Sequence, residues 1–339
     1  MGKEEIKTEE FDYGSAFRIN SGILSDAEQQ KIRHARITIV GVGGAGGVIA
    51  ISLARSGAAN FTLVDFDVYS LSNINRQICC FMDTLGKYKA EVIKREILRI
   101  NPEASVTAFT RKLDFDELGK ILDDSDVYVS EADDLAYSAY SMRMAQEKNK
   151  YSITFMPSGM TGYILAVPPN LPYKVDPTDI FGGPKGLSYE GLKEFMNDCQ
   201  CRTGRRWHIS QGKMRIEWFR KWSAGETTLT QLCPGVWSGG ALACIEIIKY
   251  LTGKWQQVKA PRMWQLELAD NRIKAVEFRR RTWFFCKFIY WAIRIEFMGI
   301  GKLLSRYTAW ALEKDLAKME KQEKEGKQAS IPFMWRHII

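Results

Sequence analysis

The chain of 339 residues has three histidines, and its seven cysteines form no C-x-x-C pair. Without such pairs the usual four-thiolate zinc staple is not supported. Cys79-Cys80 is vicinal, Cys199 and Cys201 form a C-x-C, and Cys233, Cys244 and Cys286 stand alone, which fits a reducing cytosol. His208 sits among bases and aromatics and reads as a packing or surface group. Met1–Glu10 is charged and holds no apolar stretch of the signal-peptide kind, so the expected compartment is the cytoplasm. A membrane span is also missing: Trp283 to Gly299 is very apolar but carries Lys287, Arg294 and Glu296. There is no internal repeat. The net charge of +8 is modest for this length, and 45% apolar residues are ample for a core. Length suits one large domain or a domain with an appendage.

What is present is alternation. After a polar N-terminal arm over 1–35, with a helix at Ser25–His34 opened by the capping box Ser25/Glu28, strands are expected at Arg36–Gly41, Asn60–Asp65, Ser105–Phe109, Asp126–Ser130 and Ser152–Met156. Helices are expected between them at Gly46–Ser56, Gly86–Ile100, Phe115–Leu122 and Ala136–Lys148. That order predicts an α/β fold, a Rossmann-like, doubly wound and mostly parallel sheet. Five of the ten prolines fall in Pro168–Glu226, which reads as a long crossover (about 168–230). A helix at Gly239–Leu251 and strands at Met263–Leu268 and Ile273–Phe278 complete a domain over 36–278. Residues 279–339 form a basic, aromatic segment of helical pattern.

Four glycines are packed into Gly41-Val42-Gly43-Gly44-Ala45-Gly46, between the apolar run Ile37–Val40 and a helix-like stretch. Strand, glycine turn and helix in that order put bare backbone N–H groups at a helix N-terminus, where a phosphate can sit. The spacing also satisfies G-x-G-x-x-G, and Asp65 ends the next strand, where a ribose is held. At this point a nicotinamide oxidoreductase and a mononucleotide enzyme are both open. The next stretch separates them. Asp65-Phe66-Asp67 leads into Ser72-Asn73-Ile74-Asn75-Arg76-Gln77 and then Gly86-Lys87-Tyr88-Lys89. A dehydrogenase has no use for that arginine and lysine, whereas polyphosphate does: Arg76 can fork onto phosphate oxygens and Lys89 can bring a point charge. Asn73, Asn75 and Gln77 can hydrogen-bond ribose or phosphate. Ser130-Glu131-Ala132-Asp133-Asp134 follows the fourth strand, where carboxylates beside phosphates are natural magnesium ligands. Asp133 is the metal candidate, and its neighbour Asp134 reads as a helix cap or as a group that supports the metal ligand.

These pieces, with Ile100-Asn101-Pro102 and Pro234–Lys249, resemble the ThiF/MoeB/HesA superfamily, which includes the ubiquitin-activating enzymes. The resemblance covers roughly residues 15–278. It implies adenylation of a carboxylate with ATP and magnesium, in a homodimer. By carry-over, Gly41, Gly43, Gly44 and Gly46 cradle phosphate, Asp65 (with Asp67 beside it) takes the ribose, Arg76 and Lys89 contact phosphates, and Asp133 organises magnesium. It also implies an N-terminal arginine that reaches the neighbouring subunit's phosphates, here Arg18, although Phe17-Arg18-Ile19-Asn20 departs from the family's Arg-Tyr-x-Arg-Gln. A carboxylate is already ionised at pH 7, so positioning and charge neutralisation suffice.

The expected function is therefore ATP-dependent activation of a peptide, small-protein or metabolite carboxylate, in a biosynthetic setting. Three alternatives stand beside it. One is activation of a ubiquitin-like or sulfur-carrier protein through a thioester on Cys199 or Cys201, near Arg202, Arg205 and Arg206. Another is a transfer-RNA-modifying relative. The third is a nucleotide-binding scaffold. Cys79 and Cys80 read as core residues. The basic block Arg202–Arg206 with Lys213, Arg215, Arg220 and Lys221, interleaved with Trp207, Trp218, Phe219 and Trp222, reads as a nucleic-acid face, a docking face for an acidic peptide, or a solvated helix face. Nucleic acid is the weakest of these as a partner. Arg280, Lys287 and Arg294 recur every seven residues, so 283–310 reads as a contact with a membrane surface or a partner enzyme, or as an extra helix on the chain's own core.

Overall fold

A computed structural model describes residues 10–171, 186–197, 214–277 and 300–325. Eight strands form one sheet: β1 (Arg36–Val40), β2 (Asn60–Val64), β3 (Ser105–Phe109), β4 (Val127–Ser130), β5 (Tyr151–Ser158), β6 (Thr161–Val167), β7 (Arg262–Glu267) and β8 (Arg272–Glu277). Their order is β3-β2-β1-β4-β5-β6-β7-β8. The first five are parallel to one another, and β6, β7 and β8 are added antiparallel. From β1 the chain winds outward to β2 and β3, then returns to β4 on the other side. The crevice between the ends of β1 and β4 is where such sheets take ligands. Val40 lies level with Val64 and with Ser130, so Gly41, Asp65 and Glu131 leave the sheet side by side.

The helices in chain order are α1 (Tyr13–Ala16), α2 (Asp26–His34), α3 (Gly44–Arg55), α4 (Lys89–Ile100), α5 (Phe115–Asp123), α6 (Leu135–Glu147), α7 (Tyr189–Asn197), α8 (Ile216–Ala224), α9 (Cys233–Thr252) and α10 (Ile300–Lys324). Apolar side chains of the parallel strands point alternately to two cores. One lies under α3, α4 and α9 and holds Ile37, Ile39, Ile49, Leu53, Ile93 and Ile247. The other lies under α5 and α6 and holds Val40, Val64, Leu118, Tyr128 and Tyr137. The two-sided burial explains why β4 is apolar at nearly every position, with a pattern of full burial. The expected capping box at α2 is formed: Glu28 accepts the Ser25 N–H at 2.8 Å, and Ser25 accepts the Glu28 N–H at 3.3 Å.

Three differences from the sequence expectations have physical causes. β5 runs on to Ser158 and turns back at Gly159 (φ +61) into β6, a strand that the strand–helix alternation left unassigned. α9 begins at Cys233, six residues before Gly239, because Pro234 sits in the first turn, where its missing N–H costs nothing. α4 begins at Lys89 and not at Gly86, whose φ of +77 places it in the preceding turn. The crossover contains α7 and α8 among its described residues. Cys199, Cys201, Arg202, Arg205, Arg206, Trp207, His208, Lys213 and the stretch 283–299 lie outside the described residues. No helix among the described residues is long and apolar enough to cross a membrane.

Candidate nucleotide-binding site

A cavity of about 850 Å³ opens at the C-terminal ends of β1, β2 and β4. Gly41, Gly43, Gly44 and Gly46 form its floor. Gly41 takes φ +86, and a Cβ there would overlap the Glu131 carbonyl oxygen; a Cβ on Gly46 would overlap the Gly41 carbonyl oxygen. Glycine at both positions lets the chain double back and start α3 against β4. Gly43 is the N-cap of α3 and makes no side-chain cap bond, so the first N–H groups of the helix are left for a ligand.

Asp65 also lines the cavity. Its Oδ2 accepts the Val42 N–H at 2.8 Å and its Oδ1 accepts the Asp67 N–H at 2.9 Å. The carboxylate thus pins the glycine turn to β2, and each oxygen retains a lone pair for a further donor. Burial raises the Asp65 carboxyl above its ordinary value, and Lys89 and the two N–H groups oppose that rise. Lys89 is 6% exposed, and its Nζ donates to Asp67 Oδ2 at 2.8 Å. The backbone holds the same pair, since the Lys89 N–H donates to the Asp67 carbonyl at 3.0 Å.

Arg76 lines the cavity, with Nη1 donating to the Ser72 carbonyl at 3.0 Å and to Asn75 Oδ1 at 2.8 Å. Its buried Nε has no partner, and neither does the buried Oε1 of Gln77. Burial pulls the guanidinium below its ordinary value while the charge of Asp133 supports it. Asp133 is exposed on the cavity lining. Asp134 is the N-cap of α6, accepting from Ala136 N at 3.0 Å and Tyr137 N at 3.1 Å. Among the described residues no group of three or more His, Cys, Asp or Glu could hold a metal alone. One hard carboxylate beside a phosphate cradle nevertheless fits magnesium, which keeps most of its shell as water and phosphate oxygens.

Three expected residues lie off this cavity. Asn73 accepts the Ser70 N–H at 3.0 Å and caps its own turn. Asn75 donates to the Gln231 carbonyl at 3.0 Å, tying the arginine loop to the crossover. Arg18 is exposed on a short 3-10 turn, Arg18–Gly22. That arm is fastened to the far end of α3: Tyr13 donates to the Gly57 carbonyl at 2.7 Å and Gln29 to the Ser56 carbonyl at 3.0 Å. α3 is about 18 Å long at 1.5 Å per residue, so the arm that carries Arg18 is anchored about a helix length from the glycine turn of its own chain.

Other lining residues escaped the sequence reading. Glu131 accepts the Phe155 N–H at 2.6 Å, taking over β4's role in the ladder where the main chain has turned away. Burial pushes its carboxyl well above the usual carboxylate range; the Phe155 N–H opposes this and the Asp133 charge adds to it. Lys112 stands 5.0 Å from the Tyr137 ring centroid and donates to Tyr189 Oη at 3.3 Å. Tyr189 in turn donates to Asp134 Oδ2 at 2.9 Å. Trp222, Thr228, Leu229 and Gln231 come from the crossover, and no spacing rule links them to the glycine turn. Cys79 and Cys80 are buried, and burial pushes the Cys79 thiol up to about 12. Much of the described basic face is used within the chain: Arg220 pairs with Glu313 and Glu320, Lys221 with Glu217, and Phe219 and Trp222 are buried.

A glycine turn at a helix N-terminus, set at the switch point of a doubly wound sheet and ringed by Arg76, Lys89 and Asp133, defines a nucleotide-binding protein of the Rossmann type. Residues 17–283 match the ThiF family, and the chain belongs to that family. Molybdopterin-synthase adenylyltransferase of Escherichia coli is 36% identical over 108 residues, covering 32% of this chain and 43% of the relative. The tRNA threonylcarbamoyladenosine dehydratase of Haemophilus influenzae is 32% identical over 123 residues, covering 36% and 47%. The matched segments thus span less than half of these relatives. Among solved structures, E. coli MccB with ATP superposes with a TM-score of 0.56 at 22% identity, covering 74% of this chain and 66% of MccB. PaaA gives a TM-score of 0.56 at 20% identity, covering 78% and 72%. At such identities the likeness is one of fold.

Proposed function

We propose that the protein is an ATP-dependent adenylyltransferase that activates a carboxylate as an acyl-adenylate. The observation that carries this reading is the convergence of the glycine turn, Arg76, Lys89 and Asp133 on one cavity. The glycine turn and the N-terminus of α3 hold phosphate through backbone N–H groups. Arg76, and Lys89 released from Asp67, neutralise the phosphate oxygens. A carboxylate oxygen attacks the α-phosphorus, the bond from that phosphorus to the β-bridging oxygen breaks, and pyrophosphate leaves with the electron pair. No proton moves, so the site needs no general base. Magnesium held by Asp133 would supply further charge neutralisation for the polyphosphate. The carboxylate belongs to a peptide, a small carrier protein or a metabolite. The active form is a homodimer in which Arg18 serves the neighbouring site.

The test is ATP–pyrophosphate exchange, with carboxylate donors from peptide and carrier-protein pools. Lys89→Ala and Arg76→Ala are each expected to lower carboxylate-dependent exchange by about 100-fold, in line with the loss of one charged transition-state contact. Exchange that is undiminished in Lys89→Ala, or absent with every donor, overturns the reading. A thioester on a nonreducing gel that disappears in Cys201→Ala or Cys199→Ala would move the protein to the carrier-activating class.

A further inference from the structure

Helix α10 takes no part in the reaction proposed above, yet it packs on α8, whose last turn reaches the cavity. Met214, Ile216, Phe219 and Trp222 form a buried cluster with Leu316 and Met319 of α10, and Leu229 packs against it. This cluster is separate from the two cores that sandwich the sheet. Trp222 and Leu229 belong both to the cluster and to the cavity lining.

Polar contacts fix how α10 sits. Arg220 reaches Glu313 at 2.7 Å and Glu320 at 3.5 Å. Glu323 accepts the Ile216 N–H at 3.2 Å, supplying from α10 a cap that the side chain of Arg215 does not make. The exposed ion pairs set register more than they add stability, and the apolar cluster does most of the holding. On the cavity side, Gln231 stands against the phosphate cradle, since a Cβ on Gly44 would lie 3.5 Å from its Oε1. From there Leu229, Thr228 and Trp222 carry the lining onward. The crossover lines the cavity with Lys193, Thr228 and Gln231 and with two large apolar side chains, Trp222 and Leu229, which lie next to each other in the buried cluster. An apolar wall beyond a charged centre is how a pocket sorts the uncharged part of its ligand.

Resting on the acyl-adenylate reading, we propose that Trp222 and Leu229 form the wall of the acyl-donor subsite and that α10 is the in-chain brace that positions it. The donor's group next to its reacting carboxylate is accordingly apolar. Trp222 is a specificity-determining residue here, and Arg220, Leu316 and Met319 are positioning residues that act through it.

The test uses the full chain and two independent measurements. The first is hydrogen exchange without any donor. Arg220→Glu and Leu316→Asp are each expected to deprotect the amides of 216–224 while β1 to β4 stay as in the wild type. Adding Glu313→Arg and Glu320→Arg to Arg220→Glu is expected to restore protection, which separates a lost brace from a misfolded chain. Unchanged protection in both variants, or no rescue by the charge swap, overturns the brace. The second is ATP–pyrophosphate exchange with a set of short peptides that differ only in their C-terminal residue. The wild type is expected to favour apolar termini. Arg220→Glu is expected to raise KM for the favoured peptide about tenfold with kcat and ATP affinity nearly unchanged, and Trp222→Ala to shift preference toward bulkier termini. Preference for a charged terminus, or a preference untouched by Trp222→Ala, overturns the wall. Exchange with no peptide at all overturns the adenylation of peptides and the wall with it, while the brace is still decided by hydrogen exchange.

Discussion

A methyl group on Gly46 would overlap the Gly41 carbonyl oxygen, whereas one on Gly43 meets nothing closer than the Gln77 amide nitrogen at 3.5 Å. Gly43 has φ −75 and ψ −129. Gly41 and Gly46 are therefore the glycines that folding requires, and Gly43 is the one proposed to matter for a phosphate. Gly46→Ala is expected to destabilise the protein by about 2 kcal/mol or more, because the clash is with backbone that cannot step aside. Gly43→Ala is expected to cost less stability than Gly46→Ala, because its methyl meets no backbone, while weakening ATP binding about tenfold or more, since that methyl would stand where a phosphate oxygen approaches. Thermal denaturation and calorimetric titration on the two variants check both statements. Equal ATP affinity in Gly43→Ala and the wild type would place the phosphate elsewhere. The G-x-G-G-x-G spacing was enough to locate the turn in the sequence, but not to divide its glycines between these two tasks. The division depends on Glu131 and Gln77, which reach the turn from other strands and loops. The same holds for Glu131 itself, whose bond to the Phe155 N–H exists only because β4 and β5 diverge at that point.

At the scale of elements, α4 begins with a lysine, Lys89, buried at the positive end of the helix dipole. A cation there is unfavourable, and Asp67 Oδ2 at 2.8 Å offsets only part of the cost because Asp67 is itself 45% exposed. The element gives up stability to keep a charge at the cavity. Lys89→Met removes the misplaced cation and keeps most of its packing, but it also takes away the charge that opposes the rise of the buried Asp65 carboxyl. The two effects oppose each other, and the stability of the variant in the absence of nucleotide is expected to stay within about 1 kcal/mol of the wild type. Its exchange activity is expected to be lost. Chemical denaturation checks the first and pyrophosphate exchange the second; a destabilisation of several kcal/mol would show that Lys89 is mainly a structural ion-pair partner. Most elements were legible from periodicity and turn residues, β1 to β5 and α2 to α6 among them. β6 was not, because a hairpin through Gly159 breaks the strand–helix rhythm on which the reading leaned. The first turn of α9 was not legible from periodicity, because Pro234 and Gly235 carry a loop's composition in a helix's first turn, and only the family resemblance over Pro234–Lys249 reached it. Gly239 there has a packing role, since a Cβ would overlap the Phe155 ring on β5. Such a need for a small residue is visible only once the helix lies on the sheet.

At the scale of the molecule, the arm that carries Arg18 is bound to the wrong end of α3 to serve its own cavity. Tyr13, Asn20 and Gln29 all engage Ser56 or Gly57, just past that helix. Ile19 and Ile23 beside it are 82% and 64% exposed and are available to a second surface. Both facts favour the proposed homodimer with Arg18 acting in the neighbouring site. The arrangement has a consequence that no single-chain role can imitate. Arg18→Ala and Lys89→Ala homodimers are each expected to be impaired, because every site lacks one of the two charges. When the two variants are unfolded together in equal amounts and refolded, about half the dimers are mixed. Each mixed dimer holds one site with both defects and one with neither, so exchange is expected to return to about one quarter of the wild-type value. Refolding each variant alone sets the baseline. Complementation at that level requires that Arg18 and Lys89 of one site come from different chains. A mixture no more active than its parents, where Arg18→Ala alone is impaired, would confine Arg18 to its own subunit. That outcome would demand a rearrangement of the arm across the length of α3, against the hydrogen bonds that now hold it in place.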